Sequence, residues 1–143
     1  MRTTPALITG LMLALSMPAV AQTPRLAVGQ VWTFKDAPSK ESRVVIRKLE
    51  KIDGEDVVHL SVHGVPFVRA GNGLIGGVIG HEPFEQQAFL ASIDKLTAEP
   101  RPADPLFAEG YKQWHDAHGG VYTISVAQSI ELMRQTVQKS HAP

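Results

Sequence analysis

The chain is 143 residues long, with 14 Lys and Arg against 14 Asp and Glu, 43% hydrophobic residues, 6% aromatic residues and no cysteine. That length suits one domain with a single core and leaves little room for a two-domain enzyme. Charged residues make up 20% of the chain and sit singly or in short mixed clusters, a pattern that excludes a basic nucleic-acid-binding stripe and an acidic disordered tail.

The start of the chain reads as an address. Arg2 is the only charge before Arg25, an apolar run from Ala6 to Met17 follows it, and Pro18 then leads into Ala19-Val20-Ala21. A short basic start, an apolar stretch of about a dozen residues and a small-x-small end predict a secretory signal peptide over 1–21, cleaved after Ala21. A membrane anchor would need ~20 apolar residues, and this run is interrupted by Thr9, Gly10 and Ser16. Cleavage would leave 13 basic and 14 acidic residues over 122 positions, a balance with no preference for DNA or anionic membranes. No later segment is apolar enough for stable membrane insertion. The expectation is a periplasmic or secreted single domain over 22–143, held together by packing, since it has no cysteine for disulfides.

From Thr23 to Val65 the pattern predicts strands. Val31-Trp32-Thr33-Phe34 alternates faces, Asp36-Ala37-Pro38-Ser39 supplies turn residues, and a second run extends from Arg43 to Ile52. Asp53-Gly54 then separates it from Val57 to Val65, a strong hairpin signal because glycine takes the positive φ that the tight turn demands. In this third run Val58, Leu60 and Val62 share one face, while His59, Ser61 and His63 share the other, read as the solvated one. Gly71 to Gly80 contains five glycines among apolar residues and suits a flexible loop or a short irregular strand. It lacks the strand-to-helix context of a phosphate-binding loop.

The period changes at Pro83, which suits the first turn of a helix to about Thr97, with Phe84, Ala88, Phe89, Ser92, Ile93 and Leu96 on one side. Glu99 to Ala103 reads as an extended linker. Asp104-Pro105 opens a second helix whose stripe is Phe107, Tyr111, Trp114 and His118, and Gly119-Gly120 closes it. Val121 to Ile124 is a short strand candidate. Ser125 and Gln128 form a capping box for a last helix with Val126, Ile130, Met133 and Val137 facing inward. The predicted fold is therefore α+β: an antiparallel sheet of three N-terminal strands plus one later strand, packed on one face by about three helices.

Six histidines are the one suggestive excess. His115 and His118 lie three apart on a predicted helix, close enough for both imidazoles to reach one ion, and His81 or Glu82 is the most plausible source of a further ligand. His59 and His63 lie about 13 Å apart along a strand, too far for one metal. His118 equally continues the aromatic stripe, and His115 equally complements a helix C-terminus. No Gly-x-Ser-x-Gly turn is present, cysteine nucleophiles are excluded, and the Glu55-Asp56 pair belongs to a solvated turn. His81-Glu82 is the remaining acid/base candidate. Trp32, Phe34, Phe84, Phe89, Phe107, Tyr111 and Trp114 fit core positions first and a partner site second.

Three local patterns, Gly29-x-x-Trp32-x-Phe34, Gly80-His81-x-Pro83-Phe84 and Glu109-Gly110-Tyr111-x-x-Trp114 with Gly120-Val121-Tyr122-Thr123-Ile124 after it, resemble those of small exported bacterial proteins without an assigned activity. The resemblance implies shared architecture and carries no catalytic or binding residue. The sequence points to a non-catalytic, cofactor-free protein of the cell envelope that binds another envelope protein as an inhibitor or immunity-type partner. The alternative is periplasmic zinc or copper binding through His115, His118 and His81.

Overall fold

The computed structural model describes residues 16–69 and 73–140, so most of the predicted leader lies outside the described residues. Five strands form one antiparallel sheet: β1 (Val31–Phe34), β2 (Arg43–Ile52), β3 (Glu55–Arg69), β4 (Gly73–Glu85) and β5 (Ile93–Leu96). Their spatial order is β4-β3-β2-β1-β5. Three helices complete the α+β domain: α1 (Gln86–Ser92), α2 (Phe107–Asp116) and α3 (Val126–Ser140). Among the described residues, no helix is long and apolar enough to cross a membrane.

The hairpin between β2 and β3 turns at Asp53-Gly54, whose φ angles of 49° and 88° are both positive. This is the geometry that matches the twist of the flanking strands. One face of the sheet carries Val44, Ile46, Val58, Leu60, Val62 and Phe84, which pack with Phe89 of α1 and Val126 and Ile130 of α3 into the main core. Burying each such side chain contributes about 1.5–3 kcal/mol. The capping box at the start of α3 forms as its residues require: Ser125 N–H donates to Gln128 Oε1 at 3.0 Å and Gln128 N–H to Ser125 Oγ at 3.2 Å.

The opposite face is covered by α2 and by the segment leading into it. That segment is strapped down by Arg43, whose Nη2 pairs with Glu99 at 2.8 Å, and by Arg47, whose Nη2 donates to Pro102 O at 2.7 Å. His59, expected on a solvated face, is therefore 0% exposed, and His63 is half-buried.

Two strand bulges decide what α2 meets. Between the pairs Ile46↔Leu60 and Lys48↔His59, β2 advances two residues while β3 advances one. The extra residue, Arg47, reverses the side-chain alternation and turns Lys48 and Glu50 to the side of His59. Between Leu60↔Glu82 and Val62↔Ile79, β4 advances three residues against two. The extra residue lies at Gly80-His81, so Ile79 and Glu82 both face the main core and His81 faces α2.

Several local expectations are corrected. Of the two alternatives for the glycine-rich stretch, the strand holds from Gly73 onward, residues 71 and 72 lying outside the described residues, but it is long where a short one was expected: β4 continues through Pro83 to Glu85, so the sheet has four N-terminal strands plus one later. Pro83 is tolerated there because its nitrogen lies on the open edge of β4, where Pro83 O accepts from Tyr122 N–H at 2.9 Å. The helix expected over 83–97 is confined to Gln86–Ser92, and Ile93–Leu96 leaves it to pair with β1. Val121 to Ile124 supplies only a single parallel bridge, Phe84↔Tyr122. Helix α2 ends before the paired glycines: His118 itself takes the left-handed conformation at φ 50° and leaves the aromatic stripe.

Candidate functional site

α2 brings Phe107, Tyr111 and Trp114 down onto a pair of histidines from adjacent strands. Close approach depends on Gly110, where an added Cβ would lie 2.8 Å from His81 Cβ. The ring of Trp114 stands 4.9 Å from that of His59 and 5.6 Å from that of His81; Tyr111 lies 5.1 Å from His59 and Phe107 5.6 Å from His81.

Beneath this aromatic cover runs a chain of polar contacts. Lys48 Nζ donates to Tyr111 Oη at 2.9 Å, and Tyr111 O–H donates to Glu50 Oε1 at 3.0 Å. His59 Nε2 lies 2.7 Å from Glu50 Oε1, an approach too oblique for an aligned hydrogen bond, so its attraction is chiefly electrostatic. His59 Nδ1 and His81 Nε2 are 2.9 Å apart. The partners assign the protons: a carboxylate only accepts, so His59 Nε2 carries hydrogen, its Nδ1 accepts from His81 Nε2–H, and His81 Nδ1 remains an acceptor.

The charges follow from burial and these neighbours. Desolvation is the largest influence on Glu50 and pushes its pKa up, but the Tyr111 hydrogen bond, Lys48 and His59 together hold it below the ordinary value. The Tyr111 hydrogen bond holds Lys48 above its ordinary value. Burial lowers both histidines, His81 to about 4 with a contribution from His59. At neutral pH the site is a carboxylate and an ammonium joined through a phenol, with two neutral imidazoles behind them.

His81 and Glu82 do not form an acid/base pair, because consecutive strand residues point to opposite faces. Glu82 is 1% exposed and faces α3, where its Oε2 lies 2.6 Å from Ser129 Oγ. Ser129 Oγ is also 2.8 Å from Val126 O. A hydroxyl has one proton and only the carbonyl must accept it, so Glu82 serves both contacts when it is a carboxylic acid donating to Ser129. Burial pushes its pKa up to about 7 against the Ser129 bond, and its Oε1 has no partner among the described residues.

A third cluster has the look of a nucleophile pair, with Ser61 Oγ 3.0 Å from His63 Nε2. Ser61 is buried and already accepts from Arg47 Nε at 2.7 Å. The cluster anchors Arg47 beneath Pro102 and presents no nucleophile to solvent.

The three candidate metal ligands are separated. His81 pairs with His59, whereas His115 is exposed, with 67% of its side chain accessible, and His118 follows the end of α2. Among the described residues, no three histidine or acidic side chains are grouped to hold a metal. His115 and His118 do share a hollow of about 270 Å³ with Glu50, Asp53 and Trp114. A larger open cleft of about 580 Å³ lies between β4, α2 and α3, lined by His81, Leu106, Glu109, Gln113, Trp114 and Met133, with Ile79 and the glycines 80 and 110.

The sequence reading missed Lys48, Glu50 and the burial of His59. The available signal was the apolar spacing Val44, Ile46, Leu49, which lengthens from two to three across Arg47 and so marks the bulge. Comparison with protein-family models, curated proteins and solved structures finds no match.

Proposed function

We propose that the chain is an exported, non-catalytic binding module of the cell envelope, an inhibitor or immunity-type partner of another protein, and that it recognises that partner through the cleft between β4, α2 and α3. The observation that carries this reading is the build of the cleft: half-buried Trp114 and Met133 and the 56% exposed Leu106 surround His81, and His81 is held from behind by His59. Rigid aromatic and apolar groups around a fixed polar one are the composition of an interface hot spot. A histidine with pKa about 4 is a poor general base at neutral pH, which favours binding over catalysis. The leader-like start of the chain supports export.

A photoreactive residue at Gln113, inside the cleft, tests the reading against one at Lys95, on the far edge strand. The expected result is a discrete adduct from position 113 that disappears with Leu106→Asp. No adduct, or the same adduct from position 95, overturns it.

A second reading, zinc or copper binding, would require side chains to move together: His115 and His118 line the same hollow as Glu50 and Asp53, but among the described residues no three of them are grouped to hold a metal. It replaces His81 with an acidic ligand. Equilibrium dialysis against stoichiometric metal should show binding that His115→Ala with His118→Ala abolishes; undiminished binding rejects these ligands.

A further inference from the structure

We infer that the cleft takes an arginine side chain of the partner, its guanidinium lying over Trp114 and donating to Glu109, Gln113 and His81; this rests on the reading of the cleft as a recognition surface.

The argument is an accounting of hydrogen-bond capacity. Most side-chain donors of the lining are already engaged, and one N–H of Gln113 is left over: Trp114 Nε1–H donates to Gly120 O at 2.8 Å, the other Gln113 Nε2–H donates to Glu109 Oε1 at 2.9 Å, and His81 Nε2–H is turned toward His59 at 2.9 Å. Acceptors remain: the second carboxylate oxygen of Glu109, Gln113 Oε1 and His81 Nδ1. Trp114 also lines the cleft, and with its Nε1–H occupied it offers carbon surface there and no donor.

The charge agrees. Among the described residues, Glu109 is the only formally charged residue of the lining, because burial keeps His81 neutral. The neighbouring cations on the two helices each have an acidic neighbour, Lys112 with Asp116 at 2.5 Å and Arg134, through Nη1, with Glu131 at 3.4 Å, while Arg134 Nε has no partner among the described residues. A site with spare acceptors, one negative charge and aromatic carbon surface complements a flat, donor-rich cation, which is the chemistry of guanidinium. An anionic ligand would be repelled by Glu109 and would find a single spare side-chain donor, the second N–H of Gln113.

The test uses N-acetyl-arginine amide as probe and its neutral isostere N-acetyl-citrulline amide as control, each at millimolar concentration, followed by NMR on the purified protein. The arginine probe should shift the Trp114 indole and Gln113 side-chain resonances, and Glu109→Gln should weaken it by about tenfold, the worth of one charge-assisted hydrogen bond. Equal shifts with citrulline, shifts centred elsewhere, or none at all overturn the proposal. A cleft adduct in the cross-linking experiment combined with failure of the arginine probe would sink this inference and leave the recognition surface standing.

Discussion

His59 Nδ1 and His81 Nε2 lie 2.9 Å apart although their residues are not directly paired across the β3–β4 ladder: His59 is opposite Pro83, and His81 is part of the bulge next to it. The contact is a product of irregular pairing, and so is the arrival of Glu50 beneath His59. Two extra residues, one at Arg47 and one at Gly80-His81, convert a strand face that would be solvated into a polar layer sealed by α2.

The seal predicts an unusual sign for one substitution. In an ordinary helix interior, Gly→Ala stabilises by ~1 kcal/mol. At Gly110 the new methyl would sit 2.8 Å from His81 Cβ, and overpacking of that kind costs ~1–3 kcal/mol. Gly110→Ala should therefore lower stability in urea denaturation. An increase would show that α2 is not held this closely against β4.

Tyr111 offers a test of the polar layer separate from packing. Tyr111→Phe keeps the ring against His59 but removes the hydroxyl that joins Lys48 to Glu50. The expected loss is about 1–2 kcal/mol, with the Glu50 carboxyl easier to protonate. Unchanged stability together with an unchanged Glu50 titration by NMR would mean that the hydroxyl link is not made.

Two groups on opposite faces of β4, Glu82 buried and His81 half-buried, give pH effects of opposite sign. Glu82 has a folded pKa raised to about 7, so its contribution is complete below the unfolded carboxyl value and is lost as pH rises through about 7. His81, lowered to about 4, and His59, lowered as well, favour the folded state at neutral pH and withdraw that support as acid protonates the unfolded imidazoles below about 6.5. In the wild type the two trends offset. Glu82→Gln should gain stability over wild type at pH 8, on the order of 3 kcal/mol, with the gain fading by pH 4. A difference that stays constant across this range contradicts the assignment of Glu82 as a neutral acid.

Where local chemistry decides structure, the sequence was legible. Asp53-Gly54 made its hairpin and Ser125 with Gln128 capped α3, because each signal acts within four residues. The α+β class followed from the change of hydrophobic period. Legibility failed where distant partners overrode local preference. Pro83 reads as a helix start, yet its missing N–H is harmless on the outer edge of β4, so pairing with β3 prevails. Ile93 to Leu96 fits a helical stripe but is drawn out to complete the sheet beside β1. The candidate site was only partly visible: His81 and the aromatic residues of α2 stood out, whereas Glu50 and His59 depended on bulges that shift which face a side chain occupies.

Titration calorimetry with the protein captured by cross-linking from position 113 tests the central claim most directly. Leu106→Asp, at the rim of the cleft, should weaken binding by tenfold or more, and Leu96→Asp, similarly exposed at 52% against 56% but on the opposite edge of the sheet, should leave it unchanged. Equal effects of the two substitutions, or none from Leu106→Asp, would contradict the assignment of the cleft as the recognition surface.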